Sequence, residues 1–206
     1  MKLCRSIADW HALRGAFAGR TLGLVPTMGA LHAGHLSLVQ RSQRESAATV
    51  VSIFVNPTQF DQAQDFDRYP RQTERDLALL KEAAVDAVFL PPRDEIYPDA
   101  YRYRVSESEL SLRLCGAHRP GHFDGMLTVV MKLLNIVRPT RAYFGEKDYQ
   151  QLLLVRGMAR AFFLDTEIVG CPIVREPDGL AMSSRNPHLD AAQRRLAASL
   201  HQVLRE

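Results

Sequence analysis

Cysteine is scarce. The three in 206 residues, Cys4, Cys115 and Cys171, stand far apart and form no C-x-x-C pair. That spacing argues against a disulfide framework or a zinc site and suits a reducing compartment. A charge excess is also lacking: 26 lysines and arginines against 23 acidic residues leave a net +3, too small and too dispersed for a nucleic-acid surface. No apolar run is long. Residues 50–55 are strand-length and fall far short of a bilayer span. The opening Met1-Lys2-Leu3-Cys4-Arg5-Ser6 has no apolar stretch of the secretory kind. There is no internal repeat and no low-complexity tract. What remains is a cytoplasmic globular protein, 46% hydrophobic and 24% charged, expected to bind neither membrane nor nucleic acid. Its length suits one α/β domain, with the start of a second.

Short apolar segments at 21–25, 49–55, 87–90, 142–144 and 166–169 read as strands, rich in Val, Ile, Leu and Phe with little alternation. Strands covered on both faces look like this. Helical spacing fills the intervals at 36–44, 71–84, 126–137 and 149–162. The third is the clearest, with Met126, Val129, Val130, Leu133, Leu134 and Val137 on one stripe before Pro139. The alternation predicts a doubly wound, Rossmann-like parallel sheet with helices on both faces, whose ligands bind beyond the carboxyl ends of the strands. Residues 56–70 show no helical period and read as a loop long enough to be a wall or lid. A short strand near 103–105 and a short helix are expected within 93–119. Asp190 and Gln193 form a capping-box pattern for a final helix running to Glu206. The expected division is a nucleotide-binding domain over 1–175 and, over 176–206, the start of a smaller domain mostly absent from this sequence.

The densest chemistry lies in Pro26-Thr27-Met28-Gly29-Ala30-Leu31-His32-Ala33-Gly34-His35. It joins the first predicted strand to a helix and sets His32 and His35 one turn apart at the helix N-terminus. Free backbone N–H groups and the positive dipole end suit phosphate. Two imidazoles there can donate hydrogen bonds to charge developing on phosphorus, and Gly34 permits close approach of a nucleotide. Four further segments bear on function. Asn56 and Gln59 leave the second strand as neutral amides able to read hydroxyls and a carboxylate; a plain polar strand exit is the competing reading. Gly145-Glu146-Lys147-Asp148 opens a helix after the 142–144 strand and offers Lys147 to phosphate and Asp148 to ribose hydroxyls; a surface Glu-Lys-Asp turn competes. Met182-Ser183-Ser184-Arg185 suits a phosphate clamp on a mobile loop, or an ordinary polar turn. Arg119-Pro120-Gly121-His122-Phe123 precedes the strongest helix and reads as structural, with some contact to the site. No Ser/His/Asp or Cys/His arrangement suggests a covalent nucleophile.

His-x-Gly-His followed much later by Met-Ser-Ser-Arg resembles the paired signature of the nucleotidyltransferase superfamily. The full phrases narrow this. Residues Leu24 to His35, Ser52 to Asp61, Arg119 to Phe123, Phe144-Gly145-Glu146-Lys147-Asp148 and Leu180 to Asn186 resemble, in order and across nearly the whole chain, the pantothenate synthetase (pantoate–β-alanine ligase) family. The resemblance implies an AMP-forming ligase that uses ATP and Mg²⁺ to condense pantoate with β-alanine through a pantoyl-adenylate. It also implies a homodimer formed through this domain. By motif position, Met28, Gly29, Ala30, Leu31, His32, Ala33, Gly34 and His35 would line the ATP site. His32 and His35 would stabilise the α-phosphoryl transition state, with His35 as proton donor to the leaving group. Lys147 would hold the β- and γ-phosphates, with Glu146 beside it, and Met182, Ser183, Ser184 and Arg185 would close over them. Gly145 and Asp148 would meet the ribose and Val174 the adenine. Thr27, Met28, Asn56, Gln59 and Gln151 would serve pantoate, Gln59 also lying near β-alanine. Metal ligands are not assigned: Mg²⁺ held mainly by substrate and water needs no carboxylate cage. A cytidylyltransferase, and a binding domain that holds ATP or pantoate without completing the reaction, are the alternatives.

Overall fold

The computed structural model describes residues 1–205. Its core is a parallel six-stranded sheet ordered β1-β4-β3-β2-β5-β6. The strands are β1 (Lys2–Cys4), β2 (Leu22–Thr27), β3 (Ala48–Ile53), β4 (Ala87–Phe89), β5 (Arg141–Gly145) and β6 (Glu167–Cys171). The doubly wound expectation holds, and its five strands lie within a few residues of their predicted places. The helices are α1 (Ile7–Arg14), α2 (Ala33–Glu45), α3 (Ala63–Arg68), α4 (Thr73–Glu82), α5 (Arg93–Ile96), α6 (Cys115–His118), α7 (His122–Val137), α8 (Tyr149–Ala161) and α9 (Ala191–Val203). Among the described residues none is long and apolar enough to cross a membrane.

Neighbouring strand residues point to opposite faces, and both faces are covered. Leu24, Val50 and Phe89 pack with Trp10, Met126, Leu127 and Val155 on one side. Val25, Val51 and Val88 pack with Leu38, Val39 and Leu80 on the other. This explains the near-continuous apolar strands. Helix α7 begins one turn before its predicted start, at His122, and ends where Arg138 turns left-handed (φ 50°) ahead of Pro139.

Four expectations change. Strand β1 and helix α1 carry too weak a periodic signal to be read. The strand has three residues and gains its place by pairing with β4. The helix is fixed by Ser6, whose Oγ accepts the Asp9 N–H, and by the fully buried Trp10. Residues 56–70 are not a plain loop: a 3-10 turn over Pro57–Gln59 and helix α3 lie within them, held by Phe60 edge-on to both Phe66 and Tyr69. Tyr103–Val105 forms no strand; Val105 instead donates its N–H to Thr128 Oγ1 of α7. The Asp190–Gln193 capping box forms as expected, but α9 ends at Val203, and Glu206 lies outside the described residues.

Sheet order reverses around β2, which has β3 on one side and β5 on the other. The carboxyl ends of β2 and β5 therefore bound the crevice at the topological switch point.

Candidate active site

That crevice is a cleft lined from five directions. Thr27, Met28, His32, Gly34 and His35 come from the β2–α2 turn, and Gln59 from the 3-10 turn after β3. Gly145, Lys147, Asp148 and Gln151 come from the β5–α8 turn. Val174, Met182, Ser183, Ser184 and Arg185 come from the segment after β6. Met126, Val129, Val130 and Leu133 of α7 form its apolar floor. Those four were read from sequence only as the core stripe of a helix; a stripe broad enough to meet both sheet and ligand gives no separate signal.

The two histidines cap helix α2 themselves. His32 Nδ1 accepts the Gly34 N–H at 3.1 Å, and His35 Nδ1 accepts the His32 N–H at 3.3 Å. The N–H of His35 turns back to the His32 carbonyl at 2.9 Å. The N–H groups of His32, Gly34 and His35 are thus already used, and the imidazoles add donors of their own. With Nδ1 accepting, each neutral ring carries its proton on Nε2. The rings lie 4.1 Å apart. Burial, then His32 and the charge of Lys147, pushes His35 down to about 3, and burial also lowers His32. Both are neutral hydrogen-bond donors around pH 7. Gly34 has a more local reason than nucleotide access: a Cβ there would stand 2.9 Å from the His32 ring.

Gln59 is aimed by buried neighbours. Asn56 is 1% exposed and lies under the cleft rather than in its lining. Its Nδ2 donates to Gln59 Oε1 at 3.0 Å and to the Gly125 carbonyl at 3.1 Å, and its Oδ1 accepts the Tyr97 hydroxyl at 2.7 Å. His122 Nδ1 donates to the Gln59 carbonyl at 2.7 Å, and Arg119 bridges His122 Nε2 and Asp61. A Cβ on Gly125 would fall 2.2 Å from the Thr58 carbonyl, so only glycine lets α7 approach this turn.

Several residues assigned from sequence stand off the cleft. Gly29, Ala30 and Leu31 turn away from it, and Asp76 of α4 accepts the N–H groups of Ala30 and Leu31. Ala33 and Glu146 are exposed and do not line it. Asp76, Asp65 and Tyr69 were not read from the sequence at all. An acidic residue in a helical pattern looks like any solvated one until the fold sets it against a loop. The clamp loop is docked on protein: Ser184 Oγ donates to the Ala30 carbonyl at 3.0 Å, and Arg185 pairs with Asp65. Lys147 Nζ lies 3.6 Å from Asp148 Oδ1, both exposed. No group of three His, Cys, Asp or Glu side chains suited to a metal occurs among the described residues.

The family model described as pantoate-beta-alanine ligase matches residues 2–206. A pantothenate synthetase from Bdellovibrio bacteriovorus is 52% identical over 203 residues, covering 98% of this chain and 80% of that protein. One from Legionella pneumophila is 50% identical over 207 residues, covering 100% and 82%. Among solved structures, the pantoate-beta-alanine ligase of Francisella tularensis, complexed with beta-gamma ATP and beta-alanine, superposes with a TM-score of 0.96 at 43% identity, covering 100% of this chain and 80% of that one. The pantothenate synthetase of Thermus thermophilus superposes with a TM-score of 0.93 at 50% identity, covering 98% and 72%.

Proposed function

The chain belongs to the pantoate–β-alanine ligase family, and on that premise we propose that the cleft binds ATP and pantoate side by side and forms pantoyl-adenylate before β-alanine attacks. The observation that carries this reading is the convergence of five sequence-distant segments on one cleft at the switch point. In the first step a pantoate carboxylate oxygen bonds to the α-phosphorus and the bond to pyrophosphate breaks. In the second the β-alanine amine bonds to the acyl carbon, AMP leaves and the nitrogen gives up a proton.

The protein contributes positioning and charge stabilisation. His32 and His35 donate from Nε2 to phosphoryl oxygens as negative charge builds on them. The depressed pKa of His35 makes it a donor of a hydrogen bond rather than of the proton expected from sequence. Lys147 meets the β- and γ-phosphates, and Ser183, Ser184 and Arg185 cover them. Gly145 and Asp148 face the ribose and Val174 the adenine. Gln59 and Gln151 take the pantoate hydroxyls and carboxylate, with Thr27 and Met28 beside them and Asn56 holding Gln59. Glu146, Gly29, Ala30, Leu31 and Ala33 serve the turns that carry these groups. Mg²⁺ would arrive with the triphosphate and neutralise part of its charge, and phosphate oxygens and water would be its main ligands.

We place the enzyme in the cytoplasm, where Cys4, Cys115 and Cys171, all free, stay reduced. We also propose a homodimer. Leu153 of α8 and Phe162 just after it are 38% and 54% exposed and line an apolar groove with Val105 and Leu110, a face suited to a second copy. The segment from residue 176 onward would begin a second unit over the cleft. The reaction is tested by pantoate-dependent exchange of labelled pyrophosphate into ATP with β-alanine omitted. Exchange that requires pantoate supports adenylate formation, and exchange with no need of pantoate overturns it.

A further inference from the structure

Arg185 stands between two cavities. It lines the cleft, and it lines a second, polar cavity together with Asp61, Asp65, Arg68, Arg119 and His188. Asp65 lines the second cavity and not the cleft. Arg185 Nε donates to Asp65 Oδ1 at 3.1 Å and Nη2 donates to Oδ2 at 2.8 Å. Both carboxylate oxygens grip one edge of the guanidinium, and Nη1 takes no part in the pair. The guanidinium also lies 5.3 Å over the ring of Tyr69, which is 6% exposed. The helix that carries Asp65 is itself anchored, through Phe66 against Phe60 at 5.3 Å and Phe60 against Tyr69 at 5.7 Å.

A free arginine side chain loses rotamer freedom when it is fixed. A planar fork held along one edge by a carboxylate and over one face by an aromatic ring has already lost most of it. We propose that Asp65 is a positioning residue for the adenylation step, holding Arg185 by one edge so that the other edge faces the β- and γ-phosphates. This rests on the ligase reading of the cleft. Deleting a negative charge would by itself favour an anion. Here that charge lies outside the cleft lining, its side chain is 35% exposed, and solvent screens it. Loss of arginine ordering therefore outweighs the gain.

The test is calorimetric titration of the full chain with ATP and with AMP, which lacks the β- and γ-phosphates. Asp65→Asn is expected to weaken ATP about three- to fivefold, the range set by a part-exposed ion pair, and to leave AMP unchanged. Unchanged AMP binding also reports that the variant is folded. Asp65→Glu, which keeps the charge and both oxygens, is expected to restore most of the ATP affinity. In an Arg185→Ala background, Asp65→Asn is expected to weaken ATP no further. Tighter ATP binding by Asp65→Asn, equal loss of ATP and AMP, or the same loss without Arg185 overturns the proposal. If the unsubstituted chain binds no ATP, the ligase reading and this proposal fall together. If it binds ATP but shows no pantoate-dependent exchange, the ligase reading falls alone and the titrations still decide what Asp65 does.

Discussion

Asp76 Oδ1 accepts the N–H of Leu31 at 2.8 Å, and its second oxygen accepts that of Ala30, also at 2.8 Å. Asp76 is 1% exposed. The loop it holds has two successive left-handed residues, Gly29 at φ 79° and Ala30 at φ 50°, and it leads straight into His32. Asp76→Ala leaves two buried N–H groups without acceptors, each costing about 1–3 kcal/mol. A loss of roughly 2–4 kcal/mol is expected in urea unfolding, with Asp76→Asn losing less because an amide oxygen can still serve one of them. An unchanged midpoint for the alanine variant would show that water replaces the carboxylate.

His35→Ala removes a donor aimed at developing phosphoryl charge. The pyrophosphate exchange rate is expected to fall at least about tenfold at saturating substrates. A rate close to that of the unsubstituted chain takes His35 out of the chemistry.

Burial holds His35 at about 3, far below the ordinary imidazole value. Between that value and about 6.5 the unfolded chain binds a proton that the folded chain refuses. His35 therefore lowers stability progressively as pH falls from about 6.5 toward 3, and has no effect on the slope above that window. In a histidine NMR titration, the His35 ring is expected to keep its neutral shifts down to at least about pH 5. A midpoint near 6.5 would mean that the cleft solvates the ring, and would reopen its role as a proton donor.

Gln151→Ala and Asn56→Ala separate contact from support. Gln151 lines the cleft, so its loss is expected to raise the KM for pantoate about tenfold with folding intact. Asn56 is buried beneath Gln59 with partners on both sides, so its loss is expected to raise the same KM and also lower the unfolding midpoint. Equal midpoints for the two variants would contradict the supporting role.

Much of this protein is legible without coordinates. Unbroken apolar strands and the stripe from Met126 to Val137 demand a sheet covered on both faces, because only burial on both sides suits such residues. The turns after β2 and β5 then fall at carboxyl ends, where local chemistry such as His32, His35 and Lys147 announces itself. What sequence alone left undecided is long-range. Asp76 and Asp65 have no local mark that separates them from solvated acids; their meaning comes from loops 45 and 120 positions away in the chain. Strand β1 exists because β4 supplies its partner. That the histidine Nδ1 atoms cap the helix, leaving Nε2 for the ligand, depends on ring orientation, which spacing does not specify. Periodicity encodes which faces are buried; it does not encode which polar groups meet across the fold, and that pairing is where the tertiary structure decides the site.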